Sequence, residues 1–67
     1  APARDCIDVN AAGSARLQQL PRIGPVLAQR IIDYREAHGR FAYAESLRQV
    51  KGIGPATTEA LRSLVCF

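Results

Sequence analysis

The chain contains few of the residues that form catalytic or metal-binding sites. Its 67 residues include one histidine and two cysteines, and its six acidic residues are scattered along the sequence. Cys6 and Cys66 form no CxxC pair, so no zinc-binding pattern is present. His38 stands alone near the predicted end of a helix, where it is expected to interact with the helix dipole. The sequence therefore predicts no catalytic residue, no metal ligand and no cofactor, and the protein is not expected to be an enzyme.

Long apolar segments and runs of like charge are also missing. No apolar run approaches the roughly 20 residues that span a bilayer, so no membrane span is predicted. The formal net charge of +3 is modest, so charge alone does not identify a nucleic-acid-binding protein. A chain of this size buries only about 60% of its unfolded surface. Its hydrophobic fraction of 48% suffices for one compact core, which predicts a single domain over residues 1–67.

Helical periodicity dominates the pattern of apolar residues. It predicts helices at about 14–20, 25–38, 44–50 and 55–65, after an extended lead through Val9. Gly39 is expected to close the second helix, and Phe41 is expected to enter the core between the two halves of the chain. Because no segment alternates for long enough to form a sheet, the predicted fold class is all-α.

The most informative feature is a turn that occurs twice. The sequence Leu-Pro-Arg-Ile-Gly-Pro at positions 20–25 returns as Val-Lys-Gly-Ile-Gly-Pro at positions 50–55. The similarity extends to both sides, since Leu17 corresponds to Leu47 and Ile31 to Leu61. We therefore predict two pseudo-symmetric repeats, about 10–38 and 41–67, with four main helices between them. In each copy glycine precedes proline, as is typical of an N-cap followed by the first helical residue.

Each turn is predicted to end in a helix N-terminus that can bind an anion. The amides of the second and third helical residues have no acceptor inside the helix and lie at the positive end of its dipole. Arg22 and Lys51 would add a positive charge beside these amides. An ordinary helix–turn–helix connection explains one copy equally well, but a repeated pattern with a basic residue in each copy favours phosphate binding. The enzymatic alternative is a lyase or nuclease that uses Lys51, but the place of Lys51 inside the turn favours binding.

The repeated turns resemble the two halves of a tandem helix-hairpin-helix DNA-binding domain. Residues 7–12 (IDVNAA), 31–35 (IIDYR) and 38–41 (HGRF) further resemble the ComEA-like DNA receptors of natural competence. The resemblance covers about positions 7 to 65, although excision-repair nucleases, ligases and polymerases carry related hairpins. It implies sequence-independent binding of double-stranded DNA through backbone phosphates across a minor groove. It also implies a part in DNA uptake for transformation, with proteins of the uptake machinery as further partners.

The predicted DNA-binding residues lie in and just after the two turns. The family usually has glycine where this chain has Arg22, so either the backbone there adopts a φ angle that a non-glycine residue tolerates, or the first hairpin is reshaped. Thr57 and Thr58 would either donate their hydroxyls to phosphates or bond back to their own helix. The complete set is Arg22, Ile23, Gly24, Val26, Leu27, Arg30, Lys51, Gly52, Ile53, Gly54, Ala56, Thr57 and Thr58.

The two cysteines predict a separate property. Cys6 precedes the repeats and Cys66 follows them, and in a pseudo-symmetric domain the two ends can lie side by side. A disulfide between them would contribute about 4 kcal/mol on the loop-entropy estimate and would require an oxidising compartment. The start at Ala-Pro-Ala without an initiator Met fits a processed exported protein, which favours a periplasmic or extracellular location. The alternative is a pair of reduced thiols in a cytosolic repair domain.

The sequence thus predicts a monomeric exported DNA-binding domain of the competence type. The competing interpretation is a helix-hairpin-helix module of a DNA-repair or secretion protein that docks onto another protein. Its signs would be an exposed apolar patch where the phosphate-binding turns should be open, and free cysteines.

Overall fold

A computed structural model describes residues 6–67 as a small helical fold. The helical elements are α1 (Ser14–Leu17), α2 (Pro25–His38), a 3-10 helix (Ala44–Gln49) and α3 (Pro55–Leu61). Two strands of two residues each, β1 (Ile7–Asp8) and β2 (Val65–Cys66), lie at the ends of the described part of the chain and pair in parallel. The all-α prediction is confirmed, because the four helical segments build the fold and the strand pair only joins its ends.

Three of the four predicted helices differ from the structure in length or type, while α2 has the predicted bounds. The first helix ends at Leu17, and the chain continues to Leu20 in turns, where the Gln19 and Leu20 amides bond three residues back. The segment predicted as a helix over 44–50 is a 3-10 helix, a form that short helical pieces commonly take. The last helix ends at Leu61 instead of Val65, because Val65 and Cys66 pair with β1.

Five pairs of equivalent residues from the two repeats form most of the core. The buried side chains at positions 17, 20, 23, 28 and 31 have buried counterparts thirty positions later in the chain. Burial of the same face twice explains why the two sequences are similar: each copy contributes one apolar face to a shared interior. The matching pairs are Leu17 and Leu47, Leu20 and Val50, Ile23 and Ile53, Ala28 and Thr58, and Ile31 and Leu61.

Phe41 joins the two repeats, as predicted. Its side chain is buried, and its ring stacks on Tyr34 with centroids 5.1 Å apart. The side chain of Asn10 holds its backbone, since Asn10 Nδ2 donates to the Phe41 carbonyl at 3.0 Å and the Phe41 amide donates to Asn10 Oδ1 at 2.6 Å. Gly39, two residues earlier, ends α2 with a φ of 93°, the left-handed region where glycine carries no steric penalty.

The two ends of the described chain lie side by side. Cys6 and Cys66 form the predicted disulfide, with Cα atoms 5.6 Å apart and a sequence separation of 60. Next to it, the Ile7 amide donates to the Leu64 carbonyl at 2.8 Å and the Val9 amide to the Cys66 carbonyl at 3.2 Å. Within residues 6–67, no helix combines the length and the apolar character needed to cross a membrane.

Candidate nucleic-acid interface

The two repeated turns have the same backbone conformation. We call residues 20–25 the first hairpin and residues 50–55 the second hairpin. Arg22 has a φ of 67°, and Gly52, at the equivalent position, has a φ of 99°. The first of the two predicted alternatives is therefore correct, since Arg22 adopts the left-handed conformation and the hairpin is not reshaped. A non-glycine residue held there costs about 1–2 kcal/mol relative to the ordinary right-handed region.

An isoleucine anchors each hairpin to the core. Ile23 and Ile53 are both 4% exposed. The Ile23 amide donates to the Leu20 carbonyl at 3.2 Å, and the Ile53 amide donates to the Val50 carbonyl at 3.0 Å. Both isoleucines belong to the predicted DNA-binding set, but their side chains are buried in the core and are not available to a ligand.

Each hairpin ends in the N-terminus of a helix, as predicted. Gly24 and Gly54 are the N-caps of α2 and α3, with φ angles of −95° and −103°, and proline follows each of them. The first helical hydrogen bond is donated by the fourth residue after each glycine, at 2.9 Å in both copies. Proline has no N–H, so the next two amides have no acceptor in their helix. These amides belong to Val26 and Leu27 in α2 and to Ala56 and Thr57 in α3.

The space in front of both N-cap glycines is open. A Cβ atom added to Gly24 or Gly54 would meet no heavy atom within 4 Å. An oxygen of a ligand can therefore approach the backbone directly at these two positions. We call the free amides, together with the N-cap glycine that precedes them, the first cup in α2 and the second cup in α3.

Each hairpin carries one exposed basic side chain. Arg22 and Lys51 are exposed, and the ion pairs within residues 6–67 involve neither of them. Val26 is 61% exposed beside the first cup, and the smaller Ala56 occupies the equivalent place beside the second. A single exposed valine is not the apolar patch expected of a protein-docking surface.

Arg30 lies in α2, one to two turns beyond the first cup, and its contact with DNA stays a prediction. The structure adds a contact between Arg30 and the second hairpin. In the structure its Nη1 donates to the Lys51 carbonyl of the second hairpin at 3.1 Å. Leu27 reaches the same hairpin, because a Cβ atom on Gly52 would lie 2.7 Å from Leu27 Cδ2. No sequence signal pointed to this contact, since Arg30 and Lys51 are 21 residues apart.

Thr58 is a correction to the predicted set of DNA-binding residues. It is 1% exposed, and its Oγ1 donates to the Gly54 carbonyl at 2.9 Å. The second alternative considered for this threonine, a hydroxyl bonded back to its own helix, is thus correct. Its hydroxyl cannot reach a ligand outside the fold. Thr57 is half-buried at the second cup, and the contact of the remaining residues with DNA stays a prediction.

Other charged and aromatic groups of the described chain lie outside the cups. Arg62 donates to Glu45 at 2.6 Å and to Glu59 at 2.7 Å, which joins α3 to the 3-10 helix. The hydrogen bond from Arg62 lowers the pKa of Glu45 below its ordinary value. His38 stacks on Tyr34 with ring centroids 4.3 Å apart. Among residues 6–67, no group of three or more His, Cys, Asp or Glu side chains is arranged to hold a metal ion.

The hairpins and cups define the class of protein. Residues 3–66 match the family described as the helix-hairpin-helix motif, and the chain belongs to that family. ComE operon protein 1 of Bacillus subtilis is 37% identical over 59 residues, which are 88% of this chain and 29% of that protein. The similarity confirms the resemblance to ComEA-like helix-hairpin-helix domains.

Relatives with other names are similar to the same part of the chain. An uncharacterized protein of Haemophilus influenzae is 43% identical over 64 residues, which are 94% of this chain and 57% of that protein. Kinesin-like protein KIF22 of Mus musculus is 46% identical over 55 residues, which are 81% of this chain and 8% of that protein. The chain thus spans 57% and 29% of the two bacterial relatives and a small part of the mouse protein.

Proposed function

We propose that this domain binds double-stranded DNA through its backbone phosphates, without regard to base sequence. The observation that carries the proposal is the hairpin built twice with one backbone conformation, each copy open at its N-cap glycine and each bearing an exposed basic side chain. Membership of the helix-hairpin-helix family and similarity to ComE operon protein 1 support it. The protein acts in this proposal as a binding module and not as an enzyme.

The proposed mechanism uses main-chain donors more than side chains. Phosphate oxygens accept hydrogen bonds from the free amides of the two cups, where the helix dipole favours negative charge. Arg22 and Lys51 add charge beside the amides, with Arg22 able to pair two donors with one phosphate. Val26 and Ala56 next to the cups offer no donor or acceptor for a base edge. Contacts of this kind position a protein on DNA but do not read its sequence.

The proposed mechanism fixes the strength and the salt dependence of binding. With some three to five phosphate contacts, log K should fall against log salt concentration with a slope of roughly −3 to −4.5, since each contact contributes about −0.9. Affinity at physiological salt should lie in the non-specific range, with a Kd of about 1–100 μM.

A titration with DNA followed by NMR tests the proposed site. Addition of a short DNA duplex should shift the amide resonances of Val26, Leu27, Ala56 and Thr57, and leave those around His38 unchanged. His38 ends α2, whose 14 residues place it about 20 Å from the first cup. Shifts centred on another surface would contradict the assignment of the cups.

We further propose that the protein is an exported competence receptor that captures incoming DNA outside the inner membrane. The Cys6–Cys66 disulfide supports export, because such bonds persist mainly in oxidising compartments. Thiol trapping of the full-length protein in its own cells tests this point, with oxidised cysteines in the fraction outside the inner membrane as the expected result. Deletion of the gene should lower transformation by added DNA. Reduced cysteines or undiminished transformation would contradict the proposed role.

A further inference from the structure

We propose that Arg30 is a positioning residue that fixes the second hairpin against the helix of the first, so that the two cups act as one phosphate-binding unit. This inference rests on the proposed DNA-binding function. It assigns to Arg30 a role that differs from direct contact with phosphate, and it explains how two hairpins from separate repeats keep a fixed spacing.

Two side chains of α2 cover the second hairpin. Leu27 and Arg30 are three residues apart and therefore lie on the same face of the helix. A Cβ atom on Gly52 would lie 2.7 Å from Leu27 Cδ2 and 3.2 Å from Arg30 Nη1, so a side chain there would have to displace these two side chains of α2. Gly52 thus serves two needs at once, the φ of 99° and the close approach of α2.

The hydrogen bond from Arg30 orients the peptide between Lys51 and Gly52. Arg30 Nη1 donates to the Lys51 carbonyl at 3.1 Å. In a trans peptide the carbonyl and the following N–H point in opposite directions. A carbonyl held toward α2 therefore directs the Gly52 amide away from α2, toward the outer side of the hairpin. Gly52 belongs to the predicted DNA-binding set, and Arg30 acts on phosphate binding through its amide.

The same helix carries the first cup. Arg30 lies six positions after Gly24, which corresponds to about 9 Å along the helix axis. One rigid helical segment thus connects the first cup to the second hairpin, whereas the chain path between them runs through residues 31–49. Because DNA phosphates have a fixed spacing, a preset distance between the cups lowers the ordering cost of binding both.

The test compares Arg30→Met, Arg30→Lys and the control Arg40→Met. Arg40 is exposed and follows the C-terminal end of α2, so its replacement removes the same charge outside both hairpins. In DNA-free protein, Arg30→Met should speed hydrogen exchange of the Ile53 amide by roughly three- to tenfold, the loss expected for one hydrogen bond. The equivalent Ile23 amide should exchange at its original rate. Arg30→Lys, which keeps a donor, should restore most of the protection.

Binding of a DNA duplex gives the second readout. Arg30→Met should weaken binding about three- to tenfold, and Arg40→Met by less than twofold. Weakened binding with unchanged exchange at Ile53 would identify Arg30 as a direct phosphate contact and overturn the inference. Equal acceleration at Ile23 and Ile53 would indicate general destabilisation and would also overturn it. If the unmodified protein bound no DNA, the proposed function would fail, while the exchange rates would still decide whether Arg30 holds the hairpin.

Discussion

Replacing Gly24 or Gly54 with aspartate should separate folding from binding. Both glycines are N-caps with negative φ angles, and a Cβ atom on either meets nothing within 4 Å. Aspartate is among the preferred N-cap residues, because its carboxylate accepts a hydrogen bond from the second or third helical amide. Those are the amides proposed to bind phosphate. An aspartate at either position would therefore occupy the cup with the chain's own anion.

The substitution to aspartate should affect stability and DNA binding in opposite directions. Aspartate in place of a glycine N-cap should leave stability unchanged or raise it by a few tenths of a kcal/mol, which is about 1–3 °C in Tm for a domain of this size. Loss of a hydrogen bond to a charged group costs about 1.5–3 kcal/mol, so each substitution should weaken DNA binding by roughly 10- to 150-fold. The added negative charge acts in the same direction.

Gly13 provides the matched control. It is the N-cap of α1, has a φ of −83°, and also has no heavy atom within 4 Å of an added Cβ, but it lies outside both hairpins. Gly13→Asp changes the net charge and the cap chemistry in the same way. Thermal unfolding and anisotropy titration of the three variants give the comparison. Equal loss of affinity in all three would show that charge alone matters, and retained affinity in a folded Gly24→Asp, Gly54→Asp double variant would refute phosphate capture by the cups.

Other perturbations test separate parts of the structure. Arg22→Gly should raise the free energy of unfolding by about 0.5–1 kcal/mol, because removing the strain of a non-glycine residue at positive φ outweighs the added freedom of the unfolded chain. It should also lower the magnitude of the salt slope of DNA binding by about 0.9. Loss of stability on urea unfolding would contradict the first expectation. Arg22→Glu combined with Lys51→Glu should weaken binding equally for unrelated duplexes, and one spared sequence would reveal base readout. The disulfide joins residues that are 60 positions apart. Its reduction should lower the free energy of unfolding by about 4 kcal/mol and Tm by at least about 15 °C. A smaller change in calorimetry would show that the disulfide adds little stability. Hydrogen bonding from Arg62 lowers the pKa of Glu45 in the folded protein. The ion pair should therefore stabilise the protein at pH values above the unfolded-state pKa of Glu45, and this stabilisation should disappear as the pH falls through its folded-state pKa. Both groups are exposed, so the effect is small, and Glu45→Gln should flatten the acidic part of the stability profile; parallel profiles would argue against it.

Features set by local sequence could be predicted from it. Pro25 fixes the start of α2 and Gly39 its end, because one residue lacks an N–H and the other tolerates positive φ. The repeated turn predicted two hairpins, since the same short-range pattern produces the same backbone. The cysteine positions predicted a disulfide once pseudo-symmetry placed the ends together.

Features set by distant contacts could not be predicted. Val65 belongs to a strand of two residues, which is too short to show alternation and forms only because Ile7 lies beside it. Arg30 reaches a carbonyl 21 residues away, and nothing in its own surroundings in the sequence marks that acceptor. For Thr58 the sequence allowed either a phosphate contact or a hydrogen bond within its own helix. Its side chain is buried at the position equivalent to Ala28, which leaves only the second role.

Two hairpins that hold DNA by its backbone should bind without reading its sequence. Fluorescence-anisotropy titration of the oxidised protein against two unrelated short duplexes, at low and at moderate salt, measures this. Phosphate capture should give equal, micromolar affinity for both duplexes and a steep loss of affinity with salt. Absence of binding at low salt would contradict it and would make protein docking the leading interpretation of the two hairpins.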